Sequence, residues 1–413
     1  METENKKIVS KEVFMTNKGF KKSEIIFIST LGFALGIRQM AMTMVMPFIS
    51  IYSETLSYNT KFLAGVALGI FGLMQAIFQI PYGIWSDKKG NKLVMLIGLM
   101  QVIIGLGIAY FATNIYFLIL ARAMQGSGAV IAIGYSWIAS TVDDEKRTNA
   151  LSIIGVIIGV AASASFAFGP LIHRYISVKY MFLYSGLLIT LAWIIILIFL
   201  KDNRNKKEIN EIKVKKALNI LIKDKNFIAL NIIAFFNNFI MTAVFFAIPE
   251  YLEKITGVDG MWKVFMPAVI IAIVIMRITA KNSKNEQSIN AIILSFIIIS
   301  IGIVFYFNKN SFIAIFVGTV FFMVGYIEIS TLAPSLGNFI LKDSYRGIGN
   351  GFINSLQYVG SFMGAVVTAA IWAKSELLAF ILIIIIAIAG AYISRKYINK
   401  EDFYEGEDIA SLS

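Results

Sequence analysis

Residues 62–100 read FLAGVALGIFGLMQAIFQIPYGIWSDKKGNKLVMLIGLM. No charged side chain falls between Phe62 and Ser86; Asp87, Lys88, Lys89 and Lys92 then come within one short turn, and an apolar run resumes. An α-helix needs about 20 apolar residues to cross bilayer hydrocarbon, so the first run can span it and the charged turn marks where the chain surfaces. The same alternation recurs along the chain. It predicts spans near 23–50, 62–84, 93–112, 115–139, 149–171 and 179–200, then 227–248, 262–280, 288–307, 311–335, 347–371 and 376–394.

Composition agrees. The 413 residues are 58% hydrophobic and 15% charged, which excludes a soluble multidomain protein and is too apolar for a few anchors on a soluble body. The expected fold class is an all-α polytopic membrane protein, twelve helices in two six-helix halves. The domain reading is an N-terminal tail (1–22), a first half (23–200), a basic linker (201–226), a second half (227–394) and a C-terminal tail (395–413). The first span outruns a signal-peptide core and has no small-residue cleavage site, so it reads as a retained helix.

The net charge of +12 is topological. About 28 of the Lys and Arg residues fall on the side of the termini and about 7 in the opposite loops, which predicts cytoplasmic termini in a cell (inner or plasma) membrane. Nucleic acid is not needed to explain the excess. The linker 201–226 mixes lysines with Ile, Val and Leu, and reads either as an amphipathic helix on the anionic inner leaflet or as a solvated connection. Met46-Pro47 corresponds to Ile248-Pro249, and Asp144-Glu145-Lys146-Arg147 to Asp343-Ser344-Tyr345-Arg346, at nearly one offset. Such a parallel duplication is the pattern of transporters whose halves rock about a central site.

Ionisable groups at bilayer depth are costly and mark function by default. Three stand out: Arg38 in the first span, Arg122 in the fourth and Glu328 in the tenth. A buried carboxylate near an arginine can exchange a proton as a cavity opens to alternate sides, or can form a fixed ion pair; the arginines would tune the acid or bind an anionic group. Amides and tyrosines at helical spacing are candidate cavity residues: Gln75 and Gln79, Tyr135, Asn237 and Asn238, and Asn354, Gln357 and Tyr358. The same amides could simply bind helices together. Phe235 and Phe236 could add an aromatic wall. Glycines four or so apart (Gly65, Gly69 and Gly72; Gly126 and Gly128; Gly155 and Gly159; Gly360 and Gly364) predict close helix approach.

Enzyme chemistry finds no support. Cysteine is absent, the single histidine, His173, reads as a surface residue, and there is no phosphate-cradling Gly-Lys-Ser/Thr loop, so no ATP hydrolysis, catalytic residue, metal or other cofactor is expected.

The loop Gly83-Ile84-Trp85-Ser86-Asp87-Lys88-Lys89-Gly90-Asn91-Lys92 resembles the signature loop of the major facilitator superfamily. The stretch Arg122-Ala123-Met124-Gln125-Gly126 resembles that family's Arg-x-x-Gln-Gly motif, and the second span, the Arg38 region and the Glu328–Ser335 stretch are similar to the YajR-type drug:proton antiporter branch. The resemblance implies a conformational latch at Gly83, Asp87, Lys88, Gly90 and Lys92, with Asp87 accepting hydrogen bonds from a helix of the other half, and proton coupling through Glu328, Arg38 and Arg122. Asn91 replaces the motif's inner arginine and Ser140 the acidic residue expected at the inner end of the fourth span, as if that charge pair were neutralised together. In the fifth span Gly169-Pro170 is kept, but Ser165 and His173-Arg174 replace antiporter glycines. The soluble domain that follows the last span in the branch's namesake is not expected, since about 20 residues remain.

The function expected is export of a small, amphipathic molecule in exchange for protons by alternating access. An importer or dedicated metabolite exporter of the same fold, with Arg38 on an anionic group, and a non-transporting receptor stay open as alternatives. The expected partners are the solute, protons and membrane lipid, with no nucleic acid, and the chain is expected to act as a monomer.

Overall fold

The computed structural model describes residues 19–202, 219–282, 285–341 and 346–398. Most of the basic linker and the outer parts of both tails lie outside the described residues.

Twelve helical spans follow one another. They are α1 (Lys22–Met44, carried on through a 3-10 turn at Met46–Phe48 to Ile49–Glu54), α2 (Lys61–Lys89), α3 (Asn91–Phe111), α4 (Ile115–Ser127 and Val130–Thr141), α5 (Asp144–His173), α6 (Val178–Phe199), α7 (Lys225–Thr256), α8 (Trp262–Asn282), α9 (Asn285–Phe305), α10 (Phe312–Ile340), α11 (Arg346–Trp372) and α12 (Glu376–Tyr397). All twelve are long and apolar enough to cross a membrane. In lipid every backbone N–H and C=O must be satisfied within the chain, which leaves the helix as the solution for these runs. An even number of crossings returns the chain to the face it starts from, called here the terminal face; the opposite one is the far face. Polar caps fix several helix starts there: Thr60 accepts from the Leu63 amide, Asn114 from those of Tyr116 and Phe117, and Ser311 and Ser375 from Ala314 and Leu378.

Three local features depart from the sequence reading. α1 breaks at Met46-Pro47, because proline at the start of a turn lacks the N–H that would continue the helix. α4 is interrupted at Gly128-Ala129, where Ala129 takes a positive φ of 44°. α7 does not stop at Ile248-Pro249 but contains Pro249 and runs to Thr256. The paired prolines of the apparent repeat therefore act differently in the two halves.

Spans α1, α4, α7 and α10 are the most enclosed, whereas α5 and α6 are the least. Val156, Val160, Leu187, Ile198, Ile278, Ile385 and Ile388 point outward as an apolar coat that suits lipid. The two halves meet along α2 and α11. A Cβ at Gly72 would lie 2.7 Å from the Tyr358 carbonyl oxygen, so only glycine permits this approach. Gly65 and Gly69 meet α11 in the same way, whereas Gly155 and Gly159 face open space. At the far face α7 also packs on the end of α1, and α5 on α8. Towards the terminal face the link between halves among the described residues runs chiefly through α2 and α11, where Gln79 Nε2 donates to the Gly351 carbonyl at 3.2 Å. Neither α4 nor α10 packs extensively against the opposite half.

Candidate functional site

Four helices converge near mid-membrane on the ring of Phe71. The guanidinium carbon of Arg38 (α1) lies 5.4 Å from the ring centroid and that of Arg122 (α4) 4.8 Å from it, and Tyr358 (α11) meets its edge at 6.4 Å. Cation–π contact of this kind is worth about 0.5–2 kcal/mol and favours desolvated sites. Gly126 makes the arrangement possible: a Cβ there would lie 2.2 Å from the Phe71 carbonyl oxygen, so α4 can approach α2 this closely only with glycine.

Both arginines are enclosed, Arg38 fully and Arg122 with 2% exposure. Their acceptors are neutral. Arg38 Nη2 donates to Gln75 Oε1 at 2.8 Å, Arg122 Nη1 donates to Gln125 Oε1 at 2.8 Å, and Gln125 Nε2 donates to the Gly105 carbonyl at 3.3 Å. Tyr358 faces Arg38 with its hydroxyl, and Tyr135 lies close to Tyr358. Arg38 Nε, Arg122 Nε and Gln75 Nε2 are buried without a hydrogen-bond partner among the described residues.

The second half supplies a polar group of its own. Asn237 Nδ2 (α7) donates to Ser330 Oγ at 2.9 Å and approaches the Tyr326 carbonyl at 3.4 Å (α10). Tyr326 meets Phe166 of α5 edge-on at 6.3 Å, and Phe166 stacks on Phe245 of α7 at 4.7 Å. Asn238 instead turns back on its own helix, donating to the Ala234 carbonyl at 3.1 Å. Asn354 and Gln357 lie half-buried on α11.

Glu328 is not part of this centre. Its Oε2 accepts from Ser295 Oγ of α9 at 3.0 Å, inside the second half. At about 100° per residue, Glu328 lies on the other side of α10 from Tyr326 and Ser330. The arginines thus come together on Phe71, whereas the Glu328 carboxylate is held on the α9 side of α10. No arginine is paired with it among the described residues.

In the signature loop, Ser136 Oγ of α4 donates to Asp87 Oδ1 at 2.5 Å, while Asp87 Oδ2 is buried without a partner among the described residues. The contact seen is thus within the first half, not to the second. Asn91 Nδ2 donates to Ser140 Oγ at 2.9 Å, and Lys92 Nζ to the Leu197 carbonyl at 2.7 Å. Gly90 has φ 101°, a conformation other residues resist, and a Cβ there would strike Asp202. Gly83 meets no such neighbour, though its carbonyl accepts from Ser86 at 2.7 Å. Lys88 also has an interaction partner.

Sequence reasoning missed a cluster at the far face. Lys61 Nζ reaches Glu54 at 2.5 Å and Glu250 at 2.9 Å, Lys254 reaches Glu250 at 3.1 Å, and Trp372 Nε1 donates to Glu250 at 3.2 Å. The Lys61–Glu250 pair joins the halves, and His173 of α5 lies 3.8 Å from Asp259 in the turn before α8, beyond hydrogen-bond reach. His173 also stacks on Phe48 at 4.4 Å, so it is packed rather than free on a surface.

Twelve spans, with a buried polar centre where two six-helix halves meet and a charged closure at one face, define a membrane transporter rather than an enzyme. The chain belongs to the Major Facilitator Superfamily, whose sequence profile matches residues 31–365. It is 28% identical over 344 residues to the inner membrane transport protein YajR of Escherichia coli, covering 81% of this chain and 74% of YajR, which places it with the YajR-like branch. It is 31% identical over 173 residues to the multi-drug resistance efflux pump PmrA of Streptococcus pneumoniae, covering 40% of this chain and 42% of PmrA. The crystal structure of a bacterial homologue of the human lysosomal transporter Spinster, inward-facing and unoccupied, matches with a TM-score of 0.72 at 13% identity, covering 94% of this chain and 99% of that one.

Proposed function

We propose that the chain is a secondary active transporter of the inner membrane, with both termini cytoplasmic, which exports a small amphipathic solute in exchange for protons by alternating access. The observation that carries this reading is the buried polar centre around Phe71, built from α1, α2 and α4 of one half and α11 of the other. A site at mid-membrane on the junction of two halves is where a solute can be passed from one side to the other by rocking. The far face is closed by Lys61–Glu250, and α4 and α10 are uncrossed toward the terminal face. Export is supported further by the match to an efflux pump, and cytoplasmic termini by the excess of Lys and Arg on their side.

Glu328 is the proton carrier in this reading, and its position makes the coupling indirect. An ionised carboxylate only accepts hydrogen bonds, whereas a protonated one also donates, so proton uptake changes the bond to Ser295 and the fit of α10 on α9. The opposite side of α10 carries Tyr326 and Ser330, which move with it. The test is solute-driven proton flux in proteoliposomes with an imposed pH gradient. Glu328→Gln is expected to uncouple the flux; wild-type flux in that variant removes Glu328 as the carrier.

A further inference from the structure

We propose that Arg38, Arg122 and Gln75 form an anion-binding subsite, and that the transported solute is an organic anion: a carboxylate or sulfonate on an apolar, aromatic-compatible body. The proposal rests on the transporter reading above for its biological sense, but neither on the direction of transport nor on proton coupling.

The first argument is charge. Two guanidinium groups flank one ring, close enough to interact electrostatically, and both are removed from solvent. Arginine does not give up its proton in a protein, so these are standing positive charges and not proton carriers. Among the described residues their partners are amide oxygens and a tyrosine hydroxyl, and the membrane carboxylate Glu328 is held by Ser295 on the other side of α10. Like charges buried together with no counter-charge among the described residues suit a site whose counter-charge arrives with the ligand.

The second argument is hydrogen-bond inventory. Among the described residues the groups left over on the side chains that touch or neighbour the Phe71 ring are donors, Arg38 Nε, Arg122 Nε and Gln75 Nε2; the one leftover acceptor on this face of α2, Gln79 Oε1, lies a turn further toward the terminal face. Each belongs to a side chain at least nine-tenths buried. Buried polar groups are nearly always satisfied, so a set of leftover donors calls for an acceptor. A carboxylate or sulfonate offers several acceptor oxygens and forms the stronger, charge-assisted bonds with guanidinium. A cationic solute would add a third positive charge and no acceptor.

The third argument is the surroundings. Phe71, Tyr135, Tyr326 and Tyr358 are only half-buried, and they set aromatic side chains of both halves near the enclosed arginines. An acidic group would lie toward the arginines and an apolar body against these rings.

The experiment is calorimetric titration of the purified full chain with 1-naphthoate, 2-naphthalenesulfonate, uncharged 1-naphthamide and cationic 1-naphthylmethylammonium. The two anions are expected to bind at least about tenfold more tightly than the amide or the cation, since a hydrogen bond to a charged group is worth about that much or more. Arg38→Gln and Arg122→Gln should each lose about tenfold for the anions and leave the amide unchanged, while Arg122→Lys, which keeps the charge, loses less. If the glutamine variants do not fold, the wild-type ranking decides alone. An absent anion preference, whether all four probes bind alike, the cation binds best or none binds, overturns the proposal. Proteoliposome flux of the same probes separates it from the reading it rests on. Anion binding without flux leaves the subsite and overturns the proposed export of such solutes, whereas flux without anion preference leaves transport and overturns the subsite.

Discussion

Replacing Lys61 with methionine removes the charge that ties the two halves at the far face while keeping most of the side-chain volume. Lys61 is 35% exposed and Glu250 17% exposed, so the pair is partly desolvated. Exposed pairs are worth about 0.2–1 kcal/mol, and breaking a fully buried one costs about 3–5 kcal/mol. Lys254 and Trp372 remain to hold Glu250, which brings the expected cost to about 1–2 kcal/mol, near the lower end of that span. That cost falls on the closed state and shifts the balance toward an open far face by about 5–30-fold. The chain has no cysteine, so a single Ser50→Cys reports directly: Ser50 is 6% exposed beneath the closure. Its maleimide labelling rate should rise by roughly that factor in Lys61→Met. Glu250→Gln should do the same, and the double variant should exceed either by little, because both remove one interaction. An unchanged labelling rate in a folded Lys61→Met protein refutes the reasoning.

Other substitutions probe the remaining contacts. Gly126→Val should lower the thermal midpoint or prevent folding, since its Cβ meets the Phe71 backbone, whereas Gly155→Ala, with open space around it, should be neutral or stabilising by up to about 1 kcal/mol; thermal unfolding in detergent compares them. Ser295→Ala should destabilise by about 1–3 kcal/mol by leaving the Glu328 carboxylate short of its donor, and Glu328→Gln in the same background should recover part of that loss. Asn91→Arg alone should destabilise, because Asn91 is 6% exposed, and Ser140→Asp should rescue it by restoring a charge pair where the two side chains now meet at 2.9 Å. A thermal-unfolding double-mutant cycle with no positive coupling would sink that last expectation.

The spans were legible because each is an uncharged run closed by charges, the one signal a bilayer enforces strongly on sequence. Their interruptions were less so. Pro47 breaks α1 while Pro249 is absorbed into α7, since neighbouring helices can re-satisfy a freed carbonyl and the local sequence does not say which will happen. Arg38 and Arg122 were found by depth alone, but their meeting on Phe71 was not, because the partners come from three helices and only packing chooses among the 33 phenylalanines. The separation of Glu328 from the arginines follows from helix geometry only once Tyr326 is seen to face the other half, because the sequence alone does not say which side of α10 turns inward. Lys61 and Glu250 gave no sign of their pairing. Each reads as an ordinary span-end charge, and 189 residues separate them.

The most direct test of the account is uptake of a naphthalenesulfonate by proteoliposomes under an imposed pH gradient, for wild type and Arg122→Gln. The account predicts gradient-driven movement by wild type and its loss in a variant that still purifies as a folded protein. Equal movement by both, with or without the gradient, would contradict it.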